Sequence, residues 1–262
     1  MMDKISVVTI CFNIAQELAD TLDSVLEQDY SNIEIIVIDG GSADNTQEVL
    51  TAYKVKAEEL NIPFLWISER DEGIFDAMNK GLERSSGEWI AFMNGGDSFY
   101  TNSALSKLIY NSNGYDVVYG SRCNAYEAYT MSVSSKSFDE VRFHLPFCHQ
   151  SCIVRSKVHK KYPFDTSFKL HSEIDFFYKI KSLGYQFKRI GDIISIYDTH
   201  GVSSVIDRVS RCERRRIVLS YSLSRFYLID YYLWEFKRAV VFNLKGTSLG
   251  LLLLKLKHKI EA

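Results

Sequence analysis

The sequence predicts an α/β protein with a mostly parallel central sheet, helices on both faces and a helical C-terminal extension. Three observations predict it. Apolar runs of strand length alternate with stretches of helical spacing through the first hundred residues. The strands lack polar alternation, which fits burial on both faces of a parallel sheet. Three of them run straight into polar or glycine-rich turns: Cys11-Phe12-Asn13, Asp39-Gly40-Gly41-Ser42 and Asn94-Gly95-Gly96-Asp97. Ligands bind outside the carboxyl ends of strands in open α/β sheets, so three such ends suggest one shared nucleotide pocket.

The first strand is Ile5 to Cys11. A helix follows from about Gln16 to Gln28, with Leu18, Leu22, Val25 and Leu26 on one side. The second strand is Ile33 to Ile38. The next helix opens near Asn45-Thr46 and runs toward Leu60, and Pro63 separates it from a strand at Phe64 to Ser68. A third helix covers Ile74 to Arg84 and precedes the strand Trp89 to Met93. The second half is less regular. Tyr115 to Tyr119 reads as a strand and 121–150 as loop-rich and polar. Helical character returns from Ser172 to Leu183 and stops at Gly184. Ile193 to Tyr197 reads as a strand, and the pattern from Asp207 onward is helical. No internal repeat is present.

The 262 residues are 46% hydrophobic, enough for a sizeable core in one large domain or one domain with an appendage. Three prolines and 14 glycines argue against low complexity. No apolar stretch reaches membrane-spanning length. The N-terminus lacks a signal-peptide layout, so cytoplasmic residence is expected. The five cysteines are odd in number and scattered, unlike a disulfide framework. Cys148, His149 and Cys152 lack the second pair that a structural zinc site needs. The net charge of −2 hides an asymmetry: Arg208 to Ala262 holds 12 lysines and arginines against 4 acids. With its leucines and aromatics, this basic tail favours an anionic membrane surface over nucleic acid. The alternative is helices that pack on the domain or on a second copy, as a homodimer.

Thr9-Ile-Cys-Phe-Asn13, Val37-Ile-Asp-Gly-Gly-Ser-Ala-Asp-Asn-Thr46, Gly73-Ile-Phe-Asp-Ala-Met-Asn-Lys-Gly81 and Gly87-Glu-Trp-Ile-Ala-Phe-Met-Asn-Gly-Gly-Asp97 closely resemble glycosyltransferase family 2. Those enzymes have the Rossmann-like GT-A fold, take nucleotide-sugar donors and invert. Within the family the resemblance is to the colanic-acid and surface-polysaccharide type. It is strong over residues 4–100 and looser over 145–205. It implies a GT-A domain at 1–206, with a nucleotide-binding half (1–100) and an acceptor-binding half (101–206), and an extension at 207–262 outside the resemblance.

The resemblance implies a role for each motif. Asp39 contacts the uracil or ribose, and Gly40 and Gly41 let the backbone turn close to the ligand; an ordinary turn with Ser42 or Asp44 as helix cap is the alternative. Thr9 and Phe12 form the wall that holds the base, with a core aromatic as the alternative for Phe12. Asp71 meets the uracil or ribose edge and Arg70 a phosphate; a solvated surface charge is the alternative for each. The family often has a lysine at the position of Glu72, so here that cation has moved or been lost. Asp76 and Asn79 share a helix face with Lys80 and are expected toward the nucleotide-sugar cleft. Asn94, Gly95, Gly96 and Asp97 occupy the place of the Asp-X-Asp metal motif, with Asp97 the carboxylate left to bind Mn²⁺ or Mg²⁺ beside the diphosphate. Capping of a helix after Ser98 is the alternative for Asp97.

An inverting transfer needs a base for the acceptor hydroxyl. Glu173 takes that position by alignment, and Asp175 is the second candidate. Acids at a helix N-terminus are also stabilised without catalysis. His149 and Gln150 match a pair lining the donor or acceptor pocket, though a lone histidine is more often structural. His200 begins a segment resembling a loop over the diphosphate, against phosphate or metal. The function implied is inverting transfer from a nucleotide-diphosphate sugar, UDP favoured, with GDP and dTDP as alternatives, to a glycan or lipid-linked acceptor at the cytoplasmic membrane face. A non-catalytic nucleotide-sugar-binding module is the alternative. A dinucleotide oxidoreductase is disfavoured because no Gly-x-Gly-x-x-Gly follows the first strand.

Overall fold

The computed structural model describes residues 2–126, 129–141, 144–199, 208–221, 231–233 and 236. The first half is four parallel strands, β1 (Ile5–Cys11), β2 (Ile33–Asp39), β3 (Phe64–Ser68) and β4 (Trp89–Phe92), in the order β3-β2-β1-β4. Three helices connect them: α1 (Ala15–Leu26), α2 (Thr46–Glu59) and α3 (Ile74–Arg84). Every residue of β1 and β2 is buried, and the period of two explains how. Ile5, Val7, Ile33, Ile35 and Val37 pack with Leu18, Leu22, Leu50 and Tyr53 of α1 and α2. Val8, pointing the other way, lies so close to Gly81 of α3 that a Cβ there would collide with it.

One buried acid on β2 breaks the apolar pattern. Glu34 accepts hydrogen bonds from Ser6 Oγ (2.5 Å), Lys4 Nζ (2.6 Å) and the Ser86 N–H (2.6 Å). Burial alone would raise its pKa, but these donors outweigh it and hold the carboxyl down at about 2. The turn before β4 is thereby fastened to the amino ends of β1 and β2.

The second half turns the sheet mixed. Its elements are β5 (Ser98–Phe99), α4 (Ala104–Tyr110), β6 (Val117–Tyr126), β7 (Tyr129–Val133), a 3₁₀ turn (His149–Ser151), β8 (Cys152–Arg155), α5 (Ser156–Lys161), α6 (Ser172–Ser182), β9 (Phe187–Asp198) and α7 (Arg208–Tyr221). Among the described residues nine strands form one sheet, β3-β2-β1-β4-β8-β6-β9-β5, with β7 beside β6. β8 is antiparallel to both β4 and β6, which keeps β6 parallel to β4. The carboxyl ends of β6 and β9 therefore lie on the same side of the sheet as those of β1, β2 and β4.

Two sequence expectations need correction here. The strand expected at Tyr115–Tyr119 runs to Tyr126 and turns back as β7, so 121–150 is not loop throughout. The strand expected at Ile193–Tyr197 begins at Phe187. Both extensions carry polar residues, which hide a strand from a search for apolar runs. The short β5 follows Asp97, so no helix begins at Ser98 for Asp97 to cap.

A ring cluster joins the halves. Phe92 of β4 lies 4.9 Å from His149, whose ring is 5.9 Å from Phe177 of α6. His159 of α5 stacks on Phe176 at 4.2 Å. Burial pushes both histidines down to about 3, so both are neutral. Further on, the Glu213 carboxylate of α7 accepts the N–H groups of Lys169 (2.6 Å) and Leu170 (3.0 Å), and Ser210 Oγ meets His171 Nε2 at 2.8 Å. These bonds hold the segment that leads into α6.

The chain divides into two compact units, Met1–Glu213 and Arg214–Ala262. In the second, the Arg215 guanidinium lies 5.9 Å from the Tyr232 ring. Most of the basic extension lies outside the described residues. Among those described, no helix is long and apolar enough to cross a membrane.

Acid should weaken this fold through the two histidines. Below the ordinary histidine pKa of about 6.5 the unfolded chain binds protons that the folded chain refuses. Stability is complete above that pH and is lost as pH falls toward about 3. Each histidine contributes up to about 1.4 kcal/mol per pH unit. Tm followed by circular dichroism should fall between pH 7 and pH 5, and His159→Phe should flatten the fall. Asp97, raised to about 7, works in the opposite sense below pH 7, so the difference decides: a His159→Phe variant with the wild-type slope would contradict neutral burial.

Candidate active site

A cavity of about 910 Å³ opens at the carboxyl ends of β1, β2 and β4. Phe12 borders it after β1, Gly40 and Gly41 after β2, and Arg70 and Asp71 after β3. The turn Asn94–Asp97 lines it after β4, and Gln150, Tyr197 and Asp198 complete the wall from the second half.

Asp97 is the junction of this wall. Its carboxylate accepts Gln150 Nε2 at 2.7 Å and the Asp198 N–H at 3.0 Å. Its carbonyl accepts the Thr21 hydroxyl of α1 at 2.7 Å, and the same hydroxyl accepts the Gly96 N–H at 3.0 Å. Burial pushes the Asp97 carboxyl up to about 7, with the Asp198 carboxylate adding to the rise; the two hydrogen bonds and Arg122 oppose it. The turn needs glycine at Gly96, where φ is +94; at Gly95 a Cβ would displace the end of the Ile14 side chain.

On the opposite wall Phe12 is 59% exposed, so its ring is an open apolar surface and not a core aromatic. The Asp71 carboxylate accepts the Gly73 N–H (2.9 Å) and overhangs Gly40, where a Cβ would come within 2.6 Å of Oδ2. Side-chain-free backbone at Gly40 leaves that part of the wall open.

Other expected site residues sit elsewhere. Thr9 and Asp39 are fully buried behind the wall. The Asp39 carboxylate is occupied by the Ser42 N–H (3.1 Å), the Ser42 hydroxyl and Ser68 Oγ (2.6 Å), so it organises the turn that presents Gly40 and Gly41. Asp44 accepts the Thr46 N–H at 3.1 Å near the start of α2. Asp76 accepts the Glu72 N–H and pairs with Lys80 at 3.1 Å. Asn79 exchanges two hydrogen bonds with the Phe164 backbone (2.9 and 3.0 Å), tying α3 to the segment after α5. His149 is enclosed by rings, with no hydrogen-bond partner at Nε2. Glu173 and Asp175 occupy the first turn of α6 and do not line this cavity. His200 lies outside the described residues.

Sequence reasoning missed Glu17, Ile14, Tyr197 and Asp198, which also border the cavity. Asp198 was detectable, because it is an acid at the carboxyl end of a strand, the same signal that marked Asp97. Arg122 of β6 carried no such signal; its guanidinium lies 5.1 Å from the Tyr197 ring, behind the wall.

Among the described residues no group of three or more His, Cys, Asp or Glu is arranged to hold a metal ion. Cys148 Sγ donates to Gln150 Oε1 and Cys152 Sγ to the His149 carbonyl. Asp97 and Asp198 do present two hard-oxygen side chains to one cavity, the donor type that Mg²⁺ and Mn²⁺ take. They fit an ion that brings the rest of its ligands with it.

The family model described as glycosyl transferase family 2 matches residues 6–162. A PGL/p-HBAD biosynthesis glycosyltransferase of Mycobacterium bovis is 26% identical over 175 residues, 65% of this chain and 67% of its own length. TuaG of Bacillus subtilis, provisionally named a teichuronic acid biosynthesis glycosyltransferase, is 34% identical over 104 residues, 40% of either chain. Among solved structures, Staphylococcus aureus TarS 1-349 in complex with UDP-GlcNAc superposes with TM-score 0.66 at 18% identity, over 86% of this chain and 69% of that one. Mannosyltransferase PcManGT from Pyrobaculum calidifontis, in complex with GDP-Man and Mn²⁺, gives 0.64 at 16% identity, over 99% and 81%. These neighbours share the GT-A fold.

Gln150→Leu should leave the buried Asp97 carboxylate one donor short. The expected loss is about 1–3 kcal/mol of stability in urea unfolding. A variant as stable as wild type would contradict the junction.

Proposed function

The chain belongs to glycosyl transferase family 2, and on that premise we propose that it moves one sugar, with inversion, from a UDP-sugar to a glycan or lipid-linked acceptor in surface polysaccharide assembly. One observation carries the reading: the cavity at the strand ends joins an open aromatic ring, glycine backbone, an arginine and the acids Asp71, Asp97 and Asp198. UDP is favoured because TarS structures hold UDP-GlcNAc and UDP. The GDP-Man complex of PcManGT keeps GDP as the alternative. The polysaccharide assignment draws on the name of TuaG.

In this reading Phe12 stacks on the base and Asp71 bonds the uracil or ribose edge, beside the bare backbone of Gly40 and Gly41. Arg70 pairs with the diphosphate. Asp97, with Asp198, would hold a divalent metal together with diphosphate oxygens. A bound metal supplies Lewis-acid stabilisation of the departing nucleoside diphosphate. Glu173 takes the proton of the acceptor hydroxyl, whose oxygen bonds to the anomeric carbon as the bond to the diphosphate breaks on the opposite face. Asp175, two residues on, is the alternative base. The basic extension would hold the enzyme at the anionic inner face of a membrane. Packing on its own domain or on a second copy is the other use of that segment.

The second reading is a non-catalytic nucleotide-sugar-binding module. It is favoured by one fact, that neither Glu173 nor Asp175 lines the cavity. Glu173→Gln separates the two. A catalytic base predicts a fall of roughly 10²–10⁴ in kcat with unchanged UDP affinity. A chain that binds UDP-sugar, shows no turnover and is indifferent to Glu173→Gln is the binding module.

A further inference from the structure

Helix α6, whose first turn carries Glu173 and Asp175, does not fix its own start. It opens at Ser172, and the Ile174 and Asp175 N–H groups donate to the His171 carbonyl at 3.1 and 3.2 Å. His171 holds the cap position, but no side-chain hydrogen bond caps the helix from it. A helix N-terminus leaves its first N–H groups without helical partners, so another group has to fix the entry of the chain. Here that group comes from α7. Ser210 Oγ lies 2.8 Å from His171 Nε2. The Glu213 carboxylate takes the Lys169 N–H on one oxygen (2.6 Å) and the Leu170 N–H on the other (3.0 Å). The run 169–171 is therefore held, residue by residue, from one turn of α7.

The chemistry of this hold is specific. Two N–H donors on one side chain call for two acceptor oxygens and no donor, which an ionised carboxylate supplies and an amide does not. Glu213, Ser210 and His171 are all buried. In the run Arg208–Arg216, Glu213 is the acid among arginines, and it turns inward while Arg208, Arg211, Arg215 and Arg216 are exposed. A carboxylate leaves water only where donors replace it, and the N-terminal end of α6 also favours negative charge nearby. Glu173 and Asp175 follow within the next turn, half-buried and outside the lining of the donor cavity. Whichever of them meets the acceptor hydroxyl is aimed by the direction of that turn.

We propose that Glu213 is a positioning residue for the transfer: with Ser210 it fixes the backbone of 169–171, so that the acid in the first turn of α6 faces the acceptor hydroxyl. The inference rests on the transferase reading. It makes α7, the first helix of the basic extension, a working part of the transferase. Loss of the hold then slows the chemical step and leaves nucleotide binding alone.

The test uses the full chain with Mn²⁺. It reads UDP released from UDP-GlcNAc, UDP-glucose and UDP-galactose, and GDP from GDP-mannose, with water standing in for the acceptor hydroxyl. Glu213→Gln should lower kcat roughly 10- to 100-fold, with donor KM and calorimetric nucleotide affinity within about twofold of wild type. Ser210→Ala should move kcat the same way by less. Added to the acid variant that removes the base, Glu173→Gln or Asp175→Asn, Glu213→Gln should cost no more than about a further twofold, because the aimed group is already gone. Hydrogen exchange followed by NMR should show the Leu170 N–H released and the amides of β1 and β2 unchanged. If Glu213→Gln loses protection throughout, Ser210→Ala decides by the same criteria. The proposal is overturned if both variants keep the wild-type kcat, if nucleotide affinity falls along with kcat, or if the losses multiply with that of the acid variant. Turnover indifferent to both acid variants leaves nothing to be aimed and overturns it as well. A wild type that binds UDP and releases nucleotide from no donor contradicts the transferase reading itself, and this inference falls with it.

Discussion

The carboxylate of Asp97 is the constraint on which the cavity depends. A carboxylate taken out of water must be met by donors or neutralised. Here the donors come from Gln150 and the Asp198 N–H, while the Asp97 backbone is held by Thr21 of α1. Three distant stretches of chain therefore converge on one residue. The parallel half of the sheet and its mixed half meet at this point with their carboxyl ends on one side. The raised Asp97 carboxyl and the second acid at Asp198 stand on this wall, across a cavity that Arg70 also lines.

The second half supplies what the first lacks. The rings of Phe92, His149, His159, Phe164, Phe176 and Phe177 fasten α6 to β4, and Gln150 extends from the same 3₁₀ turn to Asp97. The acids at the start of α6 are thus tied to the cavity wall through a cluster of packed rings. Glu213 and Ser210 of α7 add a second hold on the segment before α6. The family match ends at residue 162, so these holds belong to a part of the chain outside it.

The first half of the fold was readable because its strands are apolar on both faces and bounded by turns. β1, β3 and α3 begin and end where the periodicity says. The end of β6 and the start of β9 were not readable, because Ser121, Arg122, Asn124, Lys188 and Arg189 break any apolar run. The site divides in the same way. Strand-end reasoning pointed to Phe12, Gly40 and the turn at Asn94–Asp97, which the structure places along one cavity, because topology alone brings strand ends together. Helix-face reasoning did not locate Asp76 and Asn79, whose partners Glu72, Lys80 and Phe164 are settled by tertiary packing. Asp39 shows the limit of motif reading: its spacing marks the turn, but only the structure shows that Ser42 and Ser68 occupy its carboxylate.

The measurement that bears most directly on the account is calorimetric titration of UDP, GDP and dTDP, each with and without Mn²⁺, into wild type and Asp97→Asn. The asparagine keeps an acceptor for Gln150 or Asp198 and removes the charge. The account predicts that one nucleotide binds, that binding requires the metal, and that Asp97→Asn loses it while circular dichroism still shows a folded chain. Binding of no nucleotide under any condition, or binding indifferent to both metal and Asp97, would contradict it.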